Sequence, residues 1–347
     1  MRKVRVGVIG VGHMGSRHAR VCFENPLSEL VAVVSKDDAE ARRVAESYRA
    51  KAYTDYGEML SKENLDAVFV ATPDHLHREP VVTAAEVGVH IFCEKPLASN
   101  LEDADAIISA AKKAGVKLMV GYILRFDPRY AAIKDAIEEG TLGEPLTVYS
   151  RRMASKVGAS RLEWKAYPEL YLAVHDIDLA LWYVGDTAIR VSGEAVKAGL
   201  HREKGIPDAV WVFIRFKKGA VAVVEAGWML TERLVSWRKP STWKPFGDVQ
   251  LEVIGSRGSA YLNYTPMCLK ALDDDGWKFP ETLHWPELHG RLIGSIVQEH
   301  EHFYRVILED GEPLIDGEEA RRSLEIALAA RRSAESGTPV ELPISQT

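Results

Sequence analysis

A glycine-rich turn near the start of the chain has the spacing G-x-G-x-x-G and directly follows an apolar run at residues 4–9. Glycine at these places allows a tight turn, close approach of the backbone to a pyrophosphate and close packing of the next helix, whose N terminus faces the anion. A second apolar run at residues 30–34 lies where a βαβ unit requires its next strand. The pattern predicts a dinucleotide-binding turn. Its expected coenzyme contacts are Gly10, Gly12, His13, Met14 and Gly15.

Polar residues follow two later apolar runs, at 67–71 and 90–93. Ligands of open α/β sheets bind at the carboxyl ends of strands, so we expect Thr72, Pro73 and His77 to contact the coenzyme. Lys95 leaves the next strand on the same side, where an ammonium group can interact with a substrate hydroxyl and lower its pKa. The alternative is an ordinary surface lysine.

The end of the second strand predicts which coenzyme is used. An acidic side chain at this place accepts hydrogen bonds from the ribose 2′-hydroxyl of NAD. Here the chain has Ser35 and Lys36, which suit a 2′-phosphate, with Arg42 or Arg43 as further contacts. We therefore expect NADP(H), and NAD(H) remains the alternative because a one-residue shift of the turn would bring Asp37 to the ribose.

Two kinds of apolar pattern predict the elements that position these residues. Continuous runs between residues 4 and 122 alternate with amphipathic stretches, which is typical of strands buried on both faces of a parallel sheet. One such stretch, from Asn100 to Gly115, has helical spacing and ends in glycine, and Asp127 before Pro128 predicts the start of another helix. Later runs lie close together with turns between them, which favours an antiparallel sheet. We expect an α/β protein with a Rossmann doubly wound sheet at 1–122 and an α+β domain with a large, mainly antiparallel open sheet at 123–347. The latter should bind substrate and form oligomers, and the helical region at 293–336 is expected to pack back on the Rossmann domain.

Composition excludes several classes of partner. The chain of 347 residues carries a net charge of -6 with both signs interspersed, so it offers no basic surface for nucleic acid. Three widely spaced cysteines form neither a disulfide framework nor a metal knuckle, and His300 and His302 point to different helix faces, so no metal is expected. With no signal-peptide site or long apolar run, we expect a cytoplasmic protein without membrane contact.

Four motifs together resemble the Gfo/Idh/MocA family of glucose-fructose oxidoreductases and inositol dehydrogenases: GVIGVGHMG, ATPDHLH, the block AAEVGVHIFCEKPLA, and GYILRFDPRY, which contains Arg125 as a further candidate coenzyme contact. Weaker similarity continues through HDIDLALW, VIGSRG and SAESGTPVELP. The resemblance implies that Lys95 is the active-site lysine, that Glu94 helps to bind the nicotinamide end, and that His175 is the catalytic histidine.

One position departs from the pattern of that family. Many members resembling inositol dehydrogenase carry an aspartate one helical turn before the histidine, where this chain has Tyr171. Tyr171, His175 and Asp176 are the candidate substrate contacts, together with Lys95. Asp176 and Asp178 each have two open readings, as substrate contacts or as structural residues.

The expected activity is reversible hydride transfer between a nicotinamide and a secondary alcohol of a sugar, sugar derivative or cyclitol, because the coenzyme carries the hydride and a histidine manages the proton. One alternative keeps the fold and acts on a dihydrodiol or a tetrapyrrole. A second alternative is a sensor that binds the coenzyme without turnover. An open sheet must cover its exposed face, so we expect a homodimer or a homotetramer.

Overall fold

The structure is a computed structural model that describes residues 2–161, 167–230, 247–264, 271–273, 276–278, 282 and 284–344. The chain divides into two compact units, Met1–Phe126 with His284–Leu324 and Asp127–Leu283 with Glu325–Thr347. No described helix has the length and apolar character that a membrane span needs.

The first unit is built on alternating strands and helices. They are β1 (Val4–Ile9), α1 (Gly15–Glu24), β2 (Ser28–Val34), α2 (Asp38–Tyr48), β3 (Lys51–Tyr53), α3 (Tyr56–Lys62), β4 (Ala67–Val70), α4 (Arg78–Glu86), β5 (His90–Glu94), α5 (Leu101–Ala114) and β6 (Leu118–Gly121). The strands form one parallel sheet in the order β3-β2-β1-β4-β5-β6. This order confirms the predicted doubly wound Rossmann sheet, and it reverses between β1 and β4, where such sheets bind ligands.

Apolar residues on both faces explain why these runs become central strands. All four residues of β4 are buried, as are all residues of β1 except Arg5. Helix α5 begins and ends as the sequence predicts: the Asn100 side chain accepts a hydrogen bond from the Asp103 N–H at 2.8 Å, and Gly115 ends the helix at φ 66°.

The second unit begins at a helix that Asp127 caps, and continues into a sheet. Its elements are α6 (Pro128–Glu138), β7 (Pro145–Ser155), α7 (Lys156–Arg161), α8 (Val174–Val184), β8 (Ala188–Val196), α9 (Gly199–Lys204), β9 (Ala209–Phe216), β10 (Val221–Leu230), β11 (Asp248–Gly255), β12 (Ser259–Asn263), β13 (Ala271–Asp273) and β14 (Gly276–Lys278). Antiparallel pairs dominate the large sheet, as predicted, and only β7 and β10 pair in parallel among its described pairings. Helix α8 packs on β7 and β10.

The last part of the chain adds elements to both units. They are β15 (Glu287–Leu288), β16 (Arg291–Leu292), α10 (Ser295–Glu309), α11 (Gly317–Ser336) and β17 (Val340–Glu341), which completes the large sheet in the order β12-β11-β7-β10-β9-β8-β17. Within the first unit, Phe303 of α10 is fully buried and meets the rings of Phe69 and Phe92 edge-on at 5.7 and 5.9 Å. Helix α10 is therefore part of the hydrophobic core that contains β4 and β5.

Two strands of the large sheets, β3 and β8, were not predicted from the sequence, and neither were the short strands β13 to β16. Strand β3 has only three residues, none of them fully buried, and pairs at the edge of the parallel sheet. Strand β8 mixes charged residues and glycine with apolar residues, so its alternation is weak. Hydrogen bonding to a neighbouring strand decides the structure of both segments, because local pattern is a weak determinant of strands.

Replacing Phe303 by alanine should lower the free energy of unfolding by about 3–5 kcal/mol, because the mutation leaves a cavity between aromatic rings. Phe23→Ala is the matched control, since Phe23 is 45% exposed, and it should have a much smaller effect. Urea denaturation followed by circular dichroism measures both. Equal midpoints for the two variants would show that α10 contributes little to this core.

Candidate active site

The glycine turn between β1 and α1 is packed tightly at its ends and open in its middle. Gly10 has φ 84°, and a Cβ there would lie 2.9 Å from backbone atoms of Ala71 and Thr72. A Cβ at Gly15 would overlap the Gly10 carbonyl oxygen at 1.8 Å. By contrast, a Cβ at Gly12 would meet no heavy atom of the described residues within 4 Å. The open position leaves the backbone accessible, as pyrophosphate binding requires.

Polar groups without partners face the same region of the sheet. Among the described residues, no side chain caps the N terminus of α1 at Met14. Thr72, at the carboxyl end of β4, has a buried hydroxyl that makes no hydrogen bond within the described part of the chain. The N terminus of a helix favours an anion, and a buried hydroxyl without a partner costs free energy until a ligand satisfies it. These groups fit the phosphates and the adjoining part of a dinucleotide, which Gly10, Gly12, His13, Met14, Gly15 and Thr72 would hold.

The end of β2 carries both a cation and a carboxylate. The Ser35 hydroxyl donates to Glu40 Oε2 at 2.8 Å. Asp37 caps α2 by accepting from the N–H groups of Ala39 and Glu40 at 2.9 and 3.3 Å. Lys36 is exposed. The carboxylate of Asp37 is therefore engaged in the helix cap, and Glu40 is the acidic group nearest to Ser35.

His77, which the sequence predicts as a coenzyme contact, is buried, and both of its ring nitrogens face groups of the protein. The residue is 1% exposed, with Nε2 at 2.9 Å from the Thr72 carbonyl oxygen. Its Nδ1 lies 3.3 Å from the Cys93 sulfur and 3.2 Å from the Leu97 carbonyl oxygen. Burial lowers the pKa of His77 and raises that of the Cys93 thiol. The neutral ring therefore donates to Thr72 and accepts from Cys93, and so joins the loops that follow β4 and β5.

Glu94 and Lys95 end β5 at the same edge of the sheet. Glu94 is 8% exposed, Lys95 is half-buried, and the Lys95 N–H donates to Glu94 Oε2 at 3.1 Å. The peptide bond to Pro96 is cis. Burial alone would raise the pKa of Glu94, but the hydrogen bond from His18 and the charges of His18 and Lys95 lower it, so the carboxyl group is ionised.

Pro73 is exposed beside Thr72, and Arg125 is engaged within the first unit. The guanidinium of Arg125 is 4% exposed, and its Nη1 donates to the Leu314 carbonyl oxygen at 3.2 Å and to Glu319 at 3.3 Å. These contacts hold the segment after β6 against the start of α11.

In the second unit, Tyr171 and His175 lie on consecutive turns around a change of helix type. Residues Glu169–Ala173 form a π-helix that leads directly into α8, and His175 is the second residue of α8. Both side chains are half-buried. Tyr171 packs against the cluster formed by Ala159, Leu200, Ile206 and Trp228. A short π-helical segment frequently marks a functional site, because it re-aims the side chains around it.

Asp176 and Asp178 point into the second unit. Asp176 is fully buried, and both carboxylate oxygens accept from Arg152, at 2.5 and 3.1 Å. Burial would lower the pKa of Arg152, but the charge of Asp176 raises it above its ordinary value. Asp178 is 1% exposed. The ion pair with Arg152 supports the structural reading of Asp176 over the substrate contact.

Sequence reasoning missed the residues behind Glu94. His18 Nε2 lies 2.8 Å from Glu94 Oε1, and His18 Nδ1 lies 2.7 Å from His300 Nε2. His18 was visible only as a helical residue three positions after Gly15, and His300 is 282 residues further along the chain. Separation of this size leaves no local signal. Within the described residues, no group of three or more His, Cys, Asp or Glu side chains is placed to hold a metal ion.

Comparison with known proteins agrees with this geometry. Residues 4–122 match the family model described as "Oxidoreductase family, NAD-binding Rossmann fold", and residues 134–342 match "Oxidoreductase family, C-terminal alpha/beta domain". The chain belongs to the Gfo/Idh/MocA oxidoreductase family. The resemblance inferred from the four motifs is thereby confirmed.

Several relatives in the Gfo/Idh/MocA family match over nearly the whole chain. The scyllo-inositol 2-dehydrogenase (NAD(+)) of Bacillus subtilis is 30% identical over 353 residues, which cover 99% of this chain and 98% of the relative. The myo-inositol 2-dehydrogenase of Thermotoga maritima is also 30% identical over 353 residues, with 98% of each chain covered. The crystal structure of a probable dehydrogenase from Thermotoga maritima superimposes with a TM-score of 0.80 at 28% identity, covering 98% of this chain and 99% of the other.

Substituting Arg152 by methionine should destabilise the chain by about 3–5 kcal/mol, because it leaves the buried Asp176 carboxylate without its partner. The neighbouring Arg151→Met is the matched control: Arg151 is 34% exposed and pairs at the surface with Glu225 and Asp248, so its loss should cost about 0–1 kcal/mol. Thermal unfolding of both variants measures the difference. Similar melting temperatures would return Asp176 to the candidate substrate contacts.

Proposed function

We propose that this chain is a nicotinamide-dependent dehydrogenase that transfers a hydride between the coenzyme and a secondary alcohol or ketone of a cyclitol, sugar or sugar derivative. The observation that carries the proposal is the β1–α1 turn, with its open Gly12, uncapped helix and buried Thr72 hydroxyl. The names of the inositol dehydrogenase relatives support the substrate class.

The residues of this chain would bind and orient the coenzyme and manage one proton. When bound, the coenzyme supplies the hydride acceptor or donor at the nicotinamide ring. We assign His175 as the acid/base for the substrate hydroxyl, since histidine changes protonation near neutral pH, and Lys95 as its electrostatic partner. Tyr171 would contact the substrate through its phenol, in place of the carboxylate that many relatives carry.

A substrate panel tests this function. Polyols including the inositols, aldoses, amino sugars and nucleotide sugars are incubated with each oxidised coenzyme while the absorbance of reduced nicotinamide is followed. Turnover of a cyclitol or a sugar is the expected result. Tight coenzyme binding with no turnover across the panel would instead favour a sensor.

Replacing His175 by alanine or Lys95 by methionine should lower turnover by about two orders of magnitude or more, because each change removes a group that handles the substrate proton or its charge. Coenzyme binding should persist in both variants. Steady-state kinetics and coenzyme titration measure the two properties separately. Near-normal turnover in either variant would remove that residue from the mechanism.

For the choice of coenzyme we propose NADP(H). The alternative required Asp37 to reach the ribose, and the helix cap engages that carboxylate. The exposed ammonium of Lys36 is a suitable phosphate contact, with exposed Arg43 nearby in sequence, whereas Arg42 pairs with Asp38 at 2.8 Å. Glu40 opposes a phosphate through its charge, and the name of the Bacillus subtilis relative includes NAD(+).

Titration with NADPH and NADH by fluorescence should show tighter binding of NADPH. Lys36→Asp should weaken NADPH selectively, because it replaces an attractive charge by a repulsive one beside the 2′-phosphate. Glu40→Gln serves as the companion variant and should favour NADPH further. Tighter binding of NADH by the wild type, abolished in Glu40→Gln, would assign ribose recognition to Glu40.

We also propose that the large sheet of the second unit forms a homodimer or homotetramer contact. One row of register partners crosses five neighbouring strands of this sheet, so its side chains lie on one face. The row consists of Phe213 on β9, Val223 on β10, Tyr149 on β7, Glu252 on β11 and Tyr261 on β12. Phe213 is 42% and Tyr261 is 64% exposed. Exposed aromatic groups on a sheet face favour burial against another chain.

Light scattering at micromolar concentration should give the mass of a dimer or a tetramer. Phe213→Glu should shift the protein toward monomer, because it replaces an exposed aromatic side chain of this row by a second carboxylate beside that of Glu252. The control is Phe23→Glu, at an exposed position of α1, and it should leave the mass unchanged. A stable wild-type monomer would contradict the proposed contact.

A further inference from the structure

Behind Glu94 lies a buried chain of side chains that can each donate or accept a hydrogen bond. The order is Glu94, His18, His300, Tyr304 and Cys22, and all of them are at least nine-tenths buried. The distances are 2.8 Å from Glu94 to His18, 2.7 Å from His18 to His300, 3.1 Å from His300 Nδ1 to the Tyr304 hydroxyl, and 3.2 Å from that hydroxyl to Cys22. Residues from β5, α1 and α10 thus form one network.

With His18 neutral, the three bonds between Tyr304 and Glu94 run toward the carboxylate, and the Cys22 thiol then has to donate to the Tyr304 oxygen. Tyr304 donates to His300 Nδ1, His300 Nε2–H donates to His18 Nδ1, and His18 Nε2–H donates to Glu94. The tautomer of each ring follows from the ionised Glu94, which can only accept.

With His18 protonated, the inner bonds reverse without any atom moving far. His18 Nδ1–H then donates to His300 Nε2, His300 Nδ1–H donates to the Tyr304 oxygen, and Tyr304 donates to the Cys22 sulfur. Burial raises the pKa of Cys22 to about 12 and that of Tyr304 well above its usual value, so neither group ionises. Each polar group of the network therefore has a hydrogen-bond partner in both protonation states of His18. This pairing matters because an unpaired buried polar group costs free energy.

The other groups that face Glu94 do not gain or lose the proton that balances its charge. Burial raises the pKa of Glu299 on α10 well above its usual range, and the charge of Glu94 adds to the effect, so Glu299 stays neutral. Burial lowers the pKa of His300 and of His77, so both rings are neutral. Lys95 supplies a fixed positive charge. His18 is left as the group whose proton can balance the carboxylate.

Glu94 also lies where the charge of a bound coenzyme would change. In a doubly wound sheet the first half, β1 to β3, takes the pyrophosphate and the adenosine ribose, so the nicotinamide belongs to the carboxyl ends of β4 to β6. Glu94 ends β5. The oxidised nicotinamide ring is positive and the reduced ring is neutral, so the two forms place different charges near this carboxylate.

We propose that His18 is a positioning residue that holds Glu94 and whose protonation is linked to the oxidation state of the coenzyme. A positive ring near Glu94 competes with a proton on His18, so the oxidised coenzyme releases that proton and the reduced coenzyme retains it. As pH falls, the affinity for the oxidised form therefore drops relative to that for the reduced form. This linkage rests on the proposed function, because it requires a bound nicotinamide coenzyme.

Isothermal titration calorimetry of both coenzyme forms at several pH values tests the linkage. For the wild type, the ratio of the oxidised-form Kd to the reduced-form Kd should rise about three- to tenfold between about pH 8.5 and pH 5.5, the size expected for a partly screened interaction between two unit charges. Repeating the titration in buffers of different ionisation enthalpy should show proton release with the oxidised form.

Three variants isolate the network. His18→Gln keeps a donor to Glu94 but cannot take up a proton, so its ratio should be nearly independent of pH, and Glu94→Gln should behave in the same way. Tyr304→Phe removes the hydroxyl that completes both arrangements and should reduce the slope even if His18→Gln folds poorly. The matched control is His302→Gln on the same helix, where His302 accepts only the Leu314 N–H among its described bonds, and it should keep the wild-type slope.

The outcomes separate this linkage from the proposed function. A wild-type chain that binds neither coenzyme form overturns both. Binding of both forms with a constant ratio overturns the linkage alone, as does a wild-type slope retained in folded His18→Gln or Tyr304→Phe.

Discussion

The close contact between the glycine turn and the end of β4 is the constraint on which the candidate site depends. Side chains at Gly10 and Gly15 would collide with backbone at 2.9 and 1.8 Å, so only glycine lets β1, α1 and β4 meet here. This contact brings the uncapped N terminus of α1 beside the Thr72 hydroxyl. A helix N terminus and a buried hydroxyl from two separate loops therefore lie close together, which is an arrangement that suits a phosphate-containing coenzyme.

Two buried carboxylates impose a second constraint on the structure. Glu94 and Asp176 are ionisable groups held inside their units, and each requires an internal partner because desolvation of an unpaired charge is costly. Arg152 fixes Asp176 with a charge that does not titrate in the accessible range. His18 holds Glu94 with a ring whose protonation we propose to follow the oxidation state of the coenzyme. The charge of the Arg152–Asp176 pair is therefore constant, whereas we propose that the charge of the His18–Glu94 pair changes with the coenzyme.

Tyr171 shows how one substitution changes the interpretation of a site within a known family. The phenol lies in a π-helix directly before α8 and packs against an apolar cluster that includes Trp228. A carboxylate at the same place would be poorly solvated beside these residues. The surroundings of residue 171 are thus consistent with tyrosine, and the substrate of this chain need not be that of the inositol dehydrogenases.

The sequence by itself determined the elements whose signals are local. The continuous apolar runs of β1 and β4 gave a parallel sheet, the G-x-G-x-x-G spacing located the dinucleotide turn, and Asn100 and Asp127 marked helix starts, because burial, turn geometry and capping act over a few residues. Tertiary structure alone decided the contacts between distant parts of the chain. It paired His18 with His300 and Arg152 with Asp176, and buried His77 between two loops. It also made a strand of β8. A side chain's type and local spacing do not specify which distant group will satisfy it, since hydrogen-bond partners and burial are set only when the elements pack.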